Sequence, residues 1–94
     1  MRAKNSELHL ALASTLRELR QDAGFSQEEL AYRADLHRTY ISLLERAIKL
    51  PTLDTLFRIS GALSVRPDLF VAKVDQALQK RSDLDSVTRQ QAGG

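Results

Sequence analysis

Between His37 and Ser42 the chain gathers residue types that can read the edge of a base: Arg38, Thr39 and Ser42, with Tyr40 and His37 beside them. A guanidinium can donate two hydrogen bonds to the two acceptors of one guanine, while hydroxyls and methyls meet other edges or a thymine methyl. Tyr40 suits either a groove contact or packing over the surface, and His37 either a helix cap or a DNA contact. Other chemistries find little support. The sequence has no cysteine, which excludes a disulfide framework and any thiolate metal site. His9 and His37 lie too far apart in sequence to form a local ligand pair. Glu28 and Glu29 are adjacent, and adjacent helical residues point about 100° apart, so they do not converge on a substrate. Asp83 and Asp85 fall in a polar tail. No phosphate loop, nucleophile–base pair or metal spacing occurs, so neither catalysis nor a cofactor is expected.

The reading residues need elements to position them. Four glycines and two prolines punctuate 94 residues, and two of those glycines close the chain. Few turns and no alternating β-branched runs predict an all-α fold of five helices. The first starts near Asn5 or Ser6, carries a stripe of Leu8, Leu12, Leu16, Leu19 and Ala23, and ends at Gly24. Ser26 opens the second, with Glu29 completing a capping box, and Leu30, Ala31 and Ala34 facing inward until Asp35. The third, Arg38 to Arg46, turns Ile41 and Leu44 inward. Thr52 caps a fourth bearing Leu53, Leu56, Ile59 and Leu63. Asp68 or Ser64 caps a fifth, which tolerates Pro67 in its first turn and runs to about Arg81.

Residues 26–46 therefore form two short helices joined by a tight turn, a helix-turn-helix pattern. Ala31 is small where two such helices must cross closely. In this motif the second helix contacts bases through its N-terminal residues, here His37 to Thr39. At 43% hydrophobic and 28% charged, the chain reads as one small domain, residues 1–81, followed by a flexible tail, 82–94. The net charge of +2 argues only weakly for nucleic acid, and residues 26–46 alone carry three basic against four acidic side chains. The surface facing DNA is positive only if Glu45 is engaged elsewhere and Glu28 and Glu29 face away. No apolar run is long enough to span a membrane. The segment Leu8–Ala13 is broken by His9 and continues into Arg17 and Arg20, unlike a signal peptide, which favours a cytoplasmic protein.

The motifs Leu16-Arg17-Glu18-Leu19-Arg20, Gly24-Phe25-Ser26-Gln27-Glu28-Glu29-Leu30-Ala31, Tyr40-Ile41-Ser42-Leu43-Leu44-Glu45-Arg46 and Pro51-Thr52-Leu53-Asp54-Thr55-Leu56 resemble those of lambda-repressor/Cro-like (XRE) regulators. Arg38-Thr39-Tyr40-Ile41-Ser42 and the small size look most like the controller proteins of restriction–modification systems. The resemblance covers roughly Leu12 to Phe70. It implies a compact five-helix lambda-repressor-like DNA-binding domain that regulates transcription as a homodimer on a palindromic operator. It also implies phosphate contacts from Gln27 and Ser26 at a helix N-terminus and from Arg46 and Lys49 in the following loop. Arg38 and Thr39 read bases with Ser42 and Tyr40 at the groove wall, and Arg20 pairs structurally with Glu45. The family usually has glycine where Asp35 and Ala47 stand. Asp35 tolerates a left-handed backbone, whereas Ala47 predicts an extended or differently shaped end to the recognition helix.

In the fifth helix, Phe70, Val71, Val74, Ala77 and Leu78 form a stripe that serves either a dimer interface or the chain's own core. The alternative to a pure regulator is an antitoxin-type protein that binds a toxin and regulates its own operon. The tail could then order on a protein partner.

Overall fold

The computed structural model describes the backbone of residues 2–93 and the side chains of residues 7–83. Five helices follow in order: α1 (Arg2–Asp22), α2 (Gln27–Ala34), α3 (Arg38–Glu45), α4 (Leu53–Ala62) and α5 (Pro67–Gly93). No strand occurs among the described residues. Helix α1 packs against α3 and α5, α2 against α3 and α4, and α4 against α5. The core lies between them, with Leu16, Leu30, Ile41, Leu44, Ile59 and Phe70 fully buried.

The helix boundaries follow from local chemistry. Ser26 Oγ accepts the Glu29 N–H at 3.0 Å, and Thr52 Oγ1 accepts the Thr55 N–H at 3.2 Å, so both expected N-caps are present. The capping box is only half formed, because the Glu29 carboxylate turns to Arg33 at 2.7 Å, one turn on. Helices α1 to α4 each end on a left-handed residue: Gly24 (φ 77°), Asp35 (58°), Ala47 (62°) and Ser64 (57°). In each case the following N–H bonds back five residues, as in Leu36 N–H to Ala31 O at 2.8 Å and Ile48 N–H to Leu43 O at 3.0 Å. These are Schellman closures. Three of the four use a side chain that disfavours this backbone.

Several expectations change. Helix α1 begins at Arg2, ahead of Asn5 and Ser6, and Ala23 lies exposed in the turn behind it. Leu53 occupies the first turn of α4 and is 71% exposed. Neither Asp68 nor Ser64 caps α5. Ser64 closes α4, while Asp68 follows Pro67 inside the first turn, accepting the Leu69 N–H and pairing with Arg66. Helix α5 runs beyond Arg81 to Gly93, since no glycine or proline interrupts it after Pro67 even though its apolar stripe ends earlier. Of the tail expected to dock a partner, only the Ser82 and Asp83 side chains are described, both exposed; those of 84–94 lie outside the described residues.

Candidate nucleic-acid interface

Helix α3 has only eight residues, too short to be stable alone, so its orientation depends on what it packs against. Ile41 and Leu44 are fully buried, each contributing roughly 1.5–3 kcal/mol by leaving water. They fix the inward face, and Glu45 at 2% exposure joins it. Helical periodicity then turns Thr39, Ser42 and Arg46 outward together, with Arg38 at the edge of that face, in the first turn of the helix. Arg38, Thr39 and Arg46 are exposed and Ser42 is half-buried. Behind them, α2 crosses closely because Ala31 is small and buried at 3% exposure. Asp35 makes the turn with φ 58° and ψ 50°, the left-handed geometry expected of it.

Glu45 is the hub of the site. Arg20 grips its carboxylate with both arms, Nε to Oε2 at 2.6 Å and Nη2 to Oε1 at 2.9 Å. The Arg20 side chain is 13% exposed, and its hydrogen bond to Glu45 raises its pKa further despite the burial. Arg20 Nη1 also donates to the Phe25 carbonyl at 2.8 Å, holding the turn after α1. The expected Arg20–Glu45 pair is present, and two partners that sequence reasoning missed join it. Gln27 Nε2 donates to Glu45 Oε1 at 3.1 Å, and Arg17 Nη2 donates to the Glu45 backbone carbonyl at 2.6 Å. The available signal was spacing: Arg17 stands one turn before Arg20 and shares its face of α1.

The structure distributes the remaining candidates unevenly. His37 takes the N-cap position of α3, but its imidazole makes no capping bond. Tyr40 is half-buried against the core, with the Lys49 ammonium 6.0 Å from its ring centroid, at the outer range of a cation–π contact. Arg46 and Lys49 lie exposed behind α3. Ala47 takes the left-handed position and the closure is kept, so the end of α3 is neither extended nor reshaped. Gln27 spends its amide on Glu45, and Ser26 spends its hydroxyl on a cap. Among the acidic residues of α2 and α3, Glu45 and Glu29 are paired with arginines, whereas Glu28 stays exposed. Arg33, paired with Glu29, also stacks over Phe25 at 4.5 Å.

The stripe expected at a dimer interface divides. Phe70 (1% exposed) and Val74 (7%) belong to the chain's own core, with Ala77 and Leu78 packed against it. Only Val71, half-exposed, faces out. It borders a shallow apolar groove of about 210 Å³ formed with Leu8, Leu12, Leu50, Pro51 and Leu56.

A family model described as Helix-turn-helix, HTH_3, matches residues 16–70, from the middle of α1 to the start of α5. This chain belongs to that helix-turn-helix family. It is 41% identical over 63 residues to the control protein C.BamHI of Bacillus amyloliquefaciens, covering 66% of this chain and 78% of that one. Among solved structures, the clp gene regulator ClgR of Corynebacterium glutamicum superposes with a TM-score of 0.81 at 26% identity, over 87% of both chains. The restriction-modification controller protein C.Esp1396I, crystallised as a tetramer in complex with its natural 35 base-pair operator, superposes with a TM-score of 0.70 at 30% identity. That match covers 77% of this chain and 95% of the controller. The helix-turn-helix residues named above, Ser26 to Arg46, all lie inside the family match. The expected five-helix fold and family are therefore correct, and these relatives are regulators and controllers rather than antitoxins.

Proposed function

We propose that this helix-turn-helix protein is a sequence-specific transcriptional regulator that binds a two-fold symmetric operator as a homodimer, with α3 in the major groove. One observation carries the reading. Arg38 and Arg46 stand on the outward face of α3 without an ion pair among the described residues, while the buried acid of that helix is neutralised from α1. The arrangement leaves a cationic, hydroxyl-bearing face suited to base edges. Arg38 and Thr39 read bases, Ser42 lies between them on the same face, and Tyr40 with Lys49 borders the groove. Arg46 and Lys49 hold phosphates. Free N–H groups at the start of α2 add an anion-binding end. C.Esp1396I, a relative with this fold, binds its operator as a tetramer, which supports assembly on DNA for this chain as well.

The dimer surface is better placed on the apolar groove than on the whole α5 stripe. Val71 presents uncovered apolar area there, while Phe70 is buried in the core and Val74, which also lines the groove, is only 7% exposed. The regulator acts in the compartment that holds its operator, the cytoplasm. Selection of bound duplexes from a random library tests the function, and a two-fold symmetric consensus is expected. Sedimentation tests the assembly. Wild type should be dimeric at tens of micromolar and Val71→Lys monomeric; a monomeric wild type, with and without the selected duplex, would refute the dimer.

A further inference from the structure

We infer that Arg17 is a positioning residue for DNA reading: it fixes the backbone at the end of the recognition helix. The last carbonyls of a helix lack intrahelical partners, and a cation there is favoured by the helix dipole. At the end of α3 the Lys49 N–H, the natural partner of the Glu45 carbonyl, is directed to Leu43 instead. The Glu45 carbonyl is taken by Arg17 Nη2 at 2.6 Å, across 28 residues of sequence. Arg17 Nε also lies 3.8 Å from Glu45 Oε1.

This contact differs in kind from the Arg20 pair. Arg20 holds a carboxylate at the tip of a side chain with three rotatable torsions, so the helix can still slide or tilt beneath it. Arg17 holds a main-chain atom. It anchors the position from which Arg46, the left-handed Ala47 and Lys49 depart, and thereby the axial setting of a two-turn helix. The inference rests on the proposed function, since it concerns how α3 meets bases. Arg17 is about half exposed, so its removal leaves the Arg20–Glu45 pair and the apolar core intact.

The test compares Arg17→Ala and Arg17→Lys with wild type on the library-selected duplex and on a scrambled one, at several salt concentrations. Hydrogen exchange is followed on the same DNA-free proteins. For Arg17→Ala the ratio of selected to scrambled affinity should fall about tenfold, the scale of one mismatched base pair. The salt slope should stay unchanged. The Ile48 and Lys49 amides should exchange faster, while Leu36, at the end of α2, keeps its protection. Arg17→Lys should rescue partly, because a single ammonium lacks the planar fork. Equal weakening on both duplexes with a slope reduced by about one would make Arg17 a phosphate contact and overturn the inference. A lower melting temperature with the affinity ratio preserved would make its role merely structural and overturn it too. If wild type itself prefers no duplex, the functional reading fails, and the exchange of Ile48 and Lys49 alone decides whether Arg17 anchors α3.

Discussion

The two ends of α3 are built on opposite rules. At its start, His37, Arg38 and Thr39 are exposed and have no side-chain partner among the described residues. At its end, Glu45 is buried and receives donors from Arg17, Arg20 and Gln27. A side chain meant for an external ligand must keep its hydrogen-bonding capacity unspent. A side chain meant to set the helix must spend all of it, because a buried charge left short of partners costs several kcal/mol. The comparison explains how residues 26–46, net acidic on paper, can present a basic surface. Glu45 is consumed at the closed end and Glu29 is paired with Arg33, so Arg38 and Arg46 keep their charge unspent among the described residues, while Glu28 and Asp35 stay exposed on other faces of the turn.

The sharpest way to break this contrast is Arg20→Ala. It strands a buried carboxylate and should cost about 3–5 kcal/mol of folding stability. The lower part of that range is expected because Arg17 and Gln27 remain in place. Urea unfolding measures it, with loss of DNA binding following only from unfolding. A variant that keeps its stability would mean the closed end is not closed.

Arg38→Ala, at the open end, should instead leave stability unchanged and cost ~1–3 kcal/mol on the selected duplex, relaxing preference at one base pair per half-site. Its counterpart Lys49→Ala should weaken selected and scrambled duplexes alike and reduce the salt slope by about one. Titration of both variants against both duplexes at several salt concentrations separates them. If Arg38→Ala weakens both equally, Arg38 is a phosphate contact and the reading face is rotated.

The smallest effect belongs to the backbone. Ala47 holds φ 62°, which costs an L-residue roughly 1–2 kcal/mol, whereas glycine adopts it freely. Part of the gain from Ala47→Gly is offset by the greater freedom of the unfolded chain, about 0.4–1 kcal/mol. A net stabilisation of about 1 kcal/mol or less is expected, seen as a modest rise in Tm with duplex discrimination unchanged. Lost discrimination would show that Ala47 shapes the site beyond closing the helix.

What the amino-acid order determined by itself was much of what acts within a turn or two of chain, though not the start of α1 or the ends of α5. Ser26 and Thr52 cap because their hydroxyls reach an N–H three residues on. Gly24 and Asp35 accept left-handed backbones, and the spacing of Leu12, Leu16, Leu30, Ile41, Leu44 and Ile59 declares an inward face for each of α1 to α4. The family motifs added the Arg20–Glu45 pair, which no local rule supplies. Periodicity says that a helix has an apolar face but not what will cover it. Only the packing of α5 against α1 and α4 decided that Phe70 and Val74 fill the chain's own core while Val71 stays outside. Only the approach of α1 to the end of α3 brought Arg17 to a backbone carbonyl 28 residues away, and only the packing of α2 on α3 made Gln27 a third donor for Glu45. Such contacts depend on where whole helices lie relative to one another, and that placement comes from the sum of all the buried faces rather than from any one segment.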